Sequence, residues 1–126
     1  MESALADLRE ARGALPGCLA IGIADVSSGW LRHAYCEHPE EARPLDLAAA
    51  AAGALLHGSR AVDWPPGADG EAVGGAEALI LGSDRIHLLV ELPADRGSAL
   101  IAICEPSRNL GLLLTRARRL AAGISA

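Results

Sequence analysis

Residues 77–104 read EALILGSDRIHLLVELPADRGSALIAIC, and this stretch decides the fold. It contains three short apolar runs, which are Glu77–Leu81, Ile86–Leu92 and residues 98–104. The connectors GSDR and PADRG are short enough for hairpins and carry the Gly, Pro, Asp and Ser residues that tight turns use. The spacing therefore predicts an antiparallel three-stranded meander. Because the runs are nearly continuous in apolar residues, we expect both faces of the sheet to be covered.

A hairpin is predicted further towards the N-terminus. Residues 18–24, CLAIGIA, and residues 30–36, WLRHAYC, both have strand character. Between them, DVSSG consists largely of residue types that are typical of tight turns, and Gly29 can adopt a positive φ. Together with the meander, these runs predict five antiparallel strands.

Three helices are predicted around the strands. Residues 3–15 repeat leucine at helical spacing, with Ser3 as N-cap, and residues 45–57 are dominated by alanine, the strongest helix former. The third helix spans about residues 107–123, with Ser107 as N-cap and one apolar stripe. The middle helix is apolar nearly all round, which is typical of a helix that is buried on several sides or shared with a partner.

The predicted element order is α-β-β-α-β-β-β-α. Three helices must cover both faces of one five-stranded antiparallel sheet, so we expect an α/β protein of the α+β type, with three α/β/α layers. We take residues 1–126 as a single domain, with residues 59–75 as a flexible loop rich in Gly and Pro.

Composition and charge narrow the class of function. Half of the 126 residues are apolar (51%), which is enough for a core without disulfides or metals. The net charge of −5 argues against a nucleic-acid partner, which usually demands a basic face. The N-terminus lacks the pattern of a signal peptide, and no apolar stretch is long enough to span a membrane. We therefore expect a cytoplasmic protein with no membrane partner.

The residues that carry chemistry do not form a recognisable active site. Three widely spaced cysteines, Cys18, Cys36 and Cys104, suggest buried free thiols rather than a disulfide framework. The Cys36-Glu37-His38 run matches no common zinc spacing, and the glycines of residues 67–75 lack the Lys-Ser/Thr of a phosphate loop. We expect no metal, no cofactor and no enzymatic activity, because no acid, base or nucleophile grouping is visible.

The sequence resembles the roadblock (dynein light chain) domain family, and within it the small bacterial MglB-like members. The first helix ends in LPG at residues 15–17, an alanine-rich helix precedes the meander, and the last strand runs into PSRNLG at residues 106–111. The element order matches over nearly the whole chain. The VSSG turn at residues 26–29 and the length of the 59–75 loop differ from the family pattern.

The resemblance implies a homodimer in which the second helix packs against its mate and the third strand pairs edge to edge. Small side chains and an apolar edge strand suit such contacts. The interface residues expected from it are Ala48, Ala51, Ala52, Leu55, Glu77, Leu79 and Leu81.

The resemblance also implies a non-catalytic protein-binding module that regulates a small Ras-like GTPase, at most as its activator. Trp64, in a Pro/Gly context, and Arg108, at the start of the last helix, are possible partner contacts. Two other functions remain open: a scaffold in a signalling or motility complex that leaves nucleotide turnover unchanged, and a small-molecule sensor module.

Overall fold

The computed structural model describes residues 2–57, 77–106 and 109–124. Eight helices and strands follow the predicted order within these residues, and a 3-10 turn, Pro39–Glu41, precedes the second helix. Their bounds are α1 Glu2–Ala14, β1 Cys18–Asp25, β2 Trp30–Cys36, α2 Ala42–His57, β3 Glu77–Leu81, β4 Ile86–Leu92, β5 Asp95–Cys104 and α3 Leu110–Gly123.

The five strands form one antiparallel sheet in the order β2-β1-β5-β4-β3. This confirms both the predicted sheet and the meander of β3, β4 and β5. The two hairpins are joined through the central pair of β1 and β5, so β2 and β3 are the two edges of the sheet. The position of β3 at one edge determines which surface is open to a partner.

Two hydrophobic cores lie on opposite faces of the sheet, which confirms the three layers. On one face, α1 and α3 pack with residues such as Leu8, Leu88 and Leu113. On the other face, α2 packs its alanines and Leu45 against the sheet. Alternate residues of the central strands enter different cores, which explains why their sequences are apolar without a break.

The β1–β2 turn forms as its sequence predicts. The Asp25 carboxylate accepts hydrogen bonds from the backbone amides of Ser27 and Ser28, at 3.0 and 3.3 Å. Gly29 has a φ of +75°, a conformation that costs glycine little because it has no Cβ. The turn therefore brings the tip of the hairpin directly against α2.

The helix ends differ from the prediction. Ser3 lies inside α1, which begins at Glu2. The N-cap of α3 is Asn109, whose side-chain oxygen accepts a hydrogen bond from the Leu112 amide at 2.9 Å. Ser107 and the 59–75 loop lie outside the described residues. Asn is among the residue types preferred at an N-cap.

Candidate interaction surface

The most accessible apolar part of the described sheet is its β3 edge. Within the described residues β3 pairs with β4 alone, so its other edge presents free backbone donors and acceptors. The strand also exposes large side chains, and Leu81 is 60% exposed. Proteins normally protect such an edge with charges, bulges or a covering element. An open apolar edge is therefore a site to which another strand can be added.

The side chains of β3 divide between the two faces of the sheet. Leu79 pairs with Leu88, which lies in the core beneath α1 and α3, so Leu79 and Leu81 point towards that layer. Ile80 alternates with them and points towards α2. The predicted interface residues on β3 thus lie on the face opposite α2, and Ala78 and Ile80 lie on the α2 face.

The alanines of α2 that were predicted to lie in the interface differ in burial. Ala48 and Ala52 are buried against the sheet, Ala52 completely (0% exposed), in the core that belongs to this chain. The helical repeat turns both side chains inward together with Leu45, so they belong to the core of this chain, and their contact with a partner helix stays a prediction. Sequence could not show this, since α2 is apolar on nearly every side.

The outer flank of α2 carries a different apolar row. Leu47, Ala51 and Leu55 follow each other at intervals of four residues, so they line one flank of the helix. Leu47 is 60% exposed, and Ala51 and Leu55 are partly exposed. The opposite flank adjoins the β1–β2 turn, where the Cα of Ala50 is 3.1 Å from the position that a Cβ on Gly29 would occupy.

The row on α2 continues onto β3. Leu55 and Ala78 pack against the same core, and α2 contacts β3 directly. We name the combined apolar surface of Leu47, Ala51, Leu55, Ala78 and Ile80 the α2–β3 surface. It joins a helix flank to an open strand edge, which is the geometry needed to pair both elements with a partner at once.

Glu77 lies beside this surface but is bound within its own chain. Arg118 of α3 donates two hydrogen bonds to its carboxylate, and the bond to Glu77 raises the pKa of the Arg118 guanidinium above its ordinary value. This ion pair attaches the first residue of β3 to α3. Glu77 therefore holds the edge strand in position, a role its predicted place in the interface did not suggest.

A second ion pair joins the β3–β4 turn, which contains Arg85, to Glu41 of the 3-10 turn before α2. The Glu41 carboxylate is buried, and its Oε1 accepts hydrogen bonds from Nη2 and Nε of Arg85 at 2.9 and 3.2 Å. The bond to Glu41 raises the pKa of Arg85 above its ordinary value. An open groove of about 490 Å³ lies around the pair, lined by Glu40, Glu41, Pro44, Ser83, Asp84, Arg85 and Pro106.

The remaining predicted contacts, Trp64 and Arg108, lie outside the described residues. The structure instead exposes Trp30, at the first position of β2 and therefore at the sheet edge opposite β3. Its place directly after the turn glycine, at the first position of a strand, was the sequence signal that could have identified it.

In the described part of the chain, no three His, Cys, Asp or Glu side chains are grouped so that they could hold a metal ion. None of the helices described is both long and apolar enough to cross a lipid bilayer.

Comparison of the sequence with protein-family models gave no match, and comparison with curated proteins gave no significant match. The structure, however, is similar to several solved structures. The roadblock/LC7 domain from Streptomyces avermitilis has a TM-score of 0.68 at 14% identity, over 93% of this chain and 90% of that one. The gliding protein MglB from Thermus thermophilus has a TM-score of 0.70 at 17% identity, over 96% and 84%. A structure of MglB in a tetrameric arrangement has a TM-score of 0.70 at 18% identity, over 96% and 84%.

These similarities cover nearly the whole chain, and at such low sequence identities they are evidence for the fold alone. They show that the chain has the roadblock fold, as its sequence pattern predicts.

Proposed function

We propose that the chain is a non-catalytic, homodimeric, cytoplasmic protein-binding module that binds and regulates a small Ras-like GTPase. The observation that carries this proposal is the α2–β3 surface, where an open strand edge and an apolar helix flank lie side by side. The roadblock fold and its likeness to MglB support the choice of partner class.

The α2–β3 surface suits a second copy of the same chain. Two antiparallel copies of β3 can pair across a two-fold axis, which joins two five-stranded sheets into one and removes both open edges. Leu47 and Ala51 of each copy then lie next to the axis, where their burial stabilises the dimer. Self-association is consistent with MglB, a protein of the same fold that has been solved in a tetrameric arrangement.

The dimer would regulate its partner through binding and not through chemistry of its own. A surface that binds one nucleotide state of the GTPase more tightly than the other shifts the population towards that state. Stimulated hydrolysis would follow if binding reoriented the catalytic groups of the GTPase itself, without a residue supplied by this chain.

Solution mass with the Ile80→Lys variant tests the dimer. Ile80 is 38% exposed, and Leu112, on the far face of α3, is 39% exposed, so Leu112→Lys is a matched control. We expect wild type and Leu112→Lys to be dimers and Ile80→Lys to be a folded monomer, because a buried lysine at the interface is costly. A wild-type monomer, or a dimer that survives Ile80→Lys, would refute the proposed interface.

Affinity capture from lysate of the source organism tests the partner class. Tagged wild type is compared with Ile80→Lys, with a GTP analogue or GDP present. We expect a small GTPase to be retained in one nucleotide state only. Retention of the GTPase to the same extent with either nucleotide would contradict the regulatory function and favour the scaffold function.

The scaffold remains the second candidate function because of Trp30. This residue is 74% exposed on the β2 edge, which is the sheet edge opposite β3. A dimer would therefore present two further aromatic sites, and exposed tryptophans are common binding hot spots.

A further inference from the structure

Cys18 and Cys104 face each other across the two central strands. They are direct partners in the antiparallel pairing of β1 with β5. Next to them, the Glu105 amide donates a hydrogen bond to the Gly17 carbonyl at 2.9 Å, which marks the cysteines as a pair without hydrogen bonds between their own backbones. At such positions the Cα atoms are about 4.5 Å apart and the side chains are closest. A disulfide needs a Cα separation of about 4.4–6.8 Å.

The two cysteines lie opposite each other on adjacent strands and are shielded from water. Cys18 is 4% exposed and Cys104 is 0% exposed, both in the core beneath α1 and α3. A hydrogen bond between the thiols raises the pKa of Cys18, as does burial, and lowers the pKa of Cys104. The Cys18 thiol also donates a hydrogen bond to the Ala20 carbonyl at 3.3 Å, so the proton lies on Cys18, and Cys104 is the member of the pair favoured as the thiolate.

A cation lies beside the pair. Arg12 donates a hydrogen bond from Nη1 to the Cys18 carbonyl at 3.2 Å. Its Nε is buried and has no hydrogen-bond partner among the described residues. Arg12 also pairs with Glu37 at 3.2 Å. Its positive charge acts on Cys18, where it favours loss of the thiol proton when the Cys18 sulfur attacks.

We infer that Cys18 and Cys104 form a redox-active thiol pair that closes reversibly to an intramolecular disulfide, with a peroxide as oxidant. The inference is independent of the proposed function, since it needs neither a dimer nor a GTPase.

The chemistry proceeds in two displacements. The Cys104 thiolate attacks one oxygen of hydrogen peroxide, the O–O bond breaks, and the departing hydroxide takes up a proton to leave as water. The Cys18 sulfur then displaces the hydroxyl group from the Cys104 sulfenic acid, and a second water carries away the thiol proton. Two thiols lose two electrons and two protons in total, and the peroxide is reduced to two waters.

Closure would join the start of β1 to the end of β5. The bond fixes the Gly17 turn, where α1 ends, to Glu105, where the chain leaves the sheet for α3. Because the linked residues are far apart in sequence, the bond restricts the unfolded chain, and we expect the oxidised protein to unfold at a higher temperature than the reduced protein.

Mass spectrometry of the Cys36→Ser variant tests the bond, because only Cys18 and Cys104 can then pair. After mild treatment with hydrogen peroxide, we expect the folded protein to lose about 2 Da, the mass of two hydrogens, and to regain it with dithiothreitol. Addition of about 16 or 32 Da without that loss would overturn the inference, because it reports isolated oxidised sulfurs. Bonds only between chains would overturn it equally.

Two comparisons distinguish a thiol pair whose surroundings promote disulfide formation from thiols that react only because oxidant reaches them. Cys36 is more exposed than either member of the pair, yet peptide mapping of oxidised wild type should find the Cys18–Cys104 bond before any oxidation of Cys36. Arg12→Gln should slow closure several-fold while circular dichroism remains unchanged. Preferential oxidation of Cys36, or closure at an unchanged rate in Arg12→Gln, would contradict the proposed thiolate mechanism.

Discussion

Arg118 and Glu77 meet in a two-point contact that joins α3 to the first residue of β3. Nε of Arg118 donates to Oε2 of Glu77 at 2.6 Å, and Nη2 donates to Oε1 at 2.7 Å. Two parallel hydrogen bonds between a guanidinium and a carboxylate fix the relative orientation of the side chains and strengthen their attraction. The pair therefore holds the open edge of the sheet from the opposite layer.

We expect Arg118→Met to loosen β3 without unfolding the domain. Arg118 is exposed, so the change in the free energy of unfolding should be under about 1 kcal/mol. Hydrogen exchange should nevertheless accelerate at the β3 amides and stay unchanged in β1 and β5. Arg119→Met, at the exposed neighbouring position of α3, is the control. Equal protection of β3 in all three proteins would show that the ion pair does not hold the strand.

We expect Ala52→Leu to damage the monomer, because Ala52 is completely buried against the sheet. Overpacking of this kind costs about 1–3 kcal/mol. Ala54→Leu, two residues along on the exposed side of α2, should be close to neutral. Urea denaturation of the two variants measures the difference. Similar midpoints would mean that Ala52 is not enclosed as described.

We expect Gly22→Ala to destabilise the sheet. A Cβ at Gly22 would lie 2.9 Å from Cδ2 of Leu31 and 3.0 Å from the His33 carbonyl oxygen. Because the second contact is with backbone, the clash should cost about 1–3 kcal/mol. Gly13→Ala, in α1 with nothing within 4 Å of the new Cβ, should instead stabilise by roughly 0.5–1 kcal/mol. Thermal unfolding should move the two midpoints in opposite directions.

Acid should weaken the fold partly through Asp25 and Asp95. The hydroxyl of Ser27 lowers the pKa of Asp25, and that of Ser98 lowers the pKa of Asp95. Each carboxylate also bonds Arg32.

A carboxyl whose pKa is lower in the folded than in the unfolded chain stabilises the fold above its unfolded pKa of about 3.9. That contribution is lost as the pH falls through the lowered folded value. Urea midpoints at about pH 7 and about pH 3 should therefore differ less in Asp25→Asn than in wild type. If the urea midpoints at the two pH values differ by as much in Asp25→Asn and in Asp95→Asn as in wild type, these carboxylates are not a source of the acid sensitivity.

Local sequence predicted the elements because their signals lie within a few neighbouring residues. Apolar runs separated by turn residues predicted all five strands, and DVSSG predicted a turn whose Gly29 has a positive φ. The helix stripes predicted which face of α1 and α3 is buried. The sequence predicted Ser107 as the N-cap of α3, whereas Asn109 caps the helix, because local rules identify a type of cap residue but not the residue at which the helix begins.

Tertiary structure decided what depends on register between distant strands and on packing between layers. A shift of one residue moves every side chain of a strand to the other face, and sequence does not specify that pairing. Only the folded chain placed Ile80 beside α2 and turned Ala52 inward. Only its register brought Cys18 against Cys104, from opposite ends of the sequence, because long-range pairing is determined by the whole core and not by any one segment.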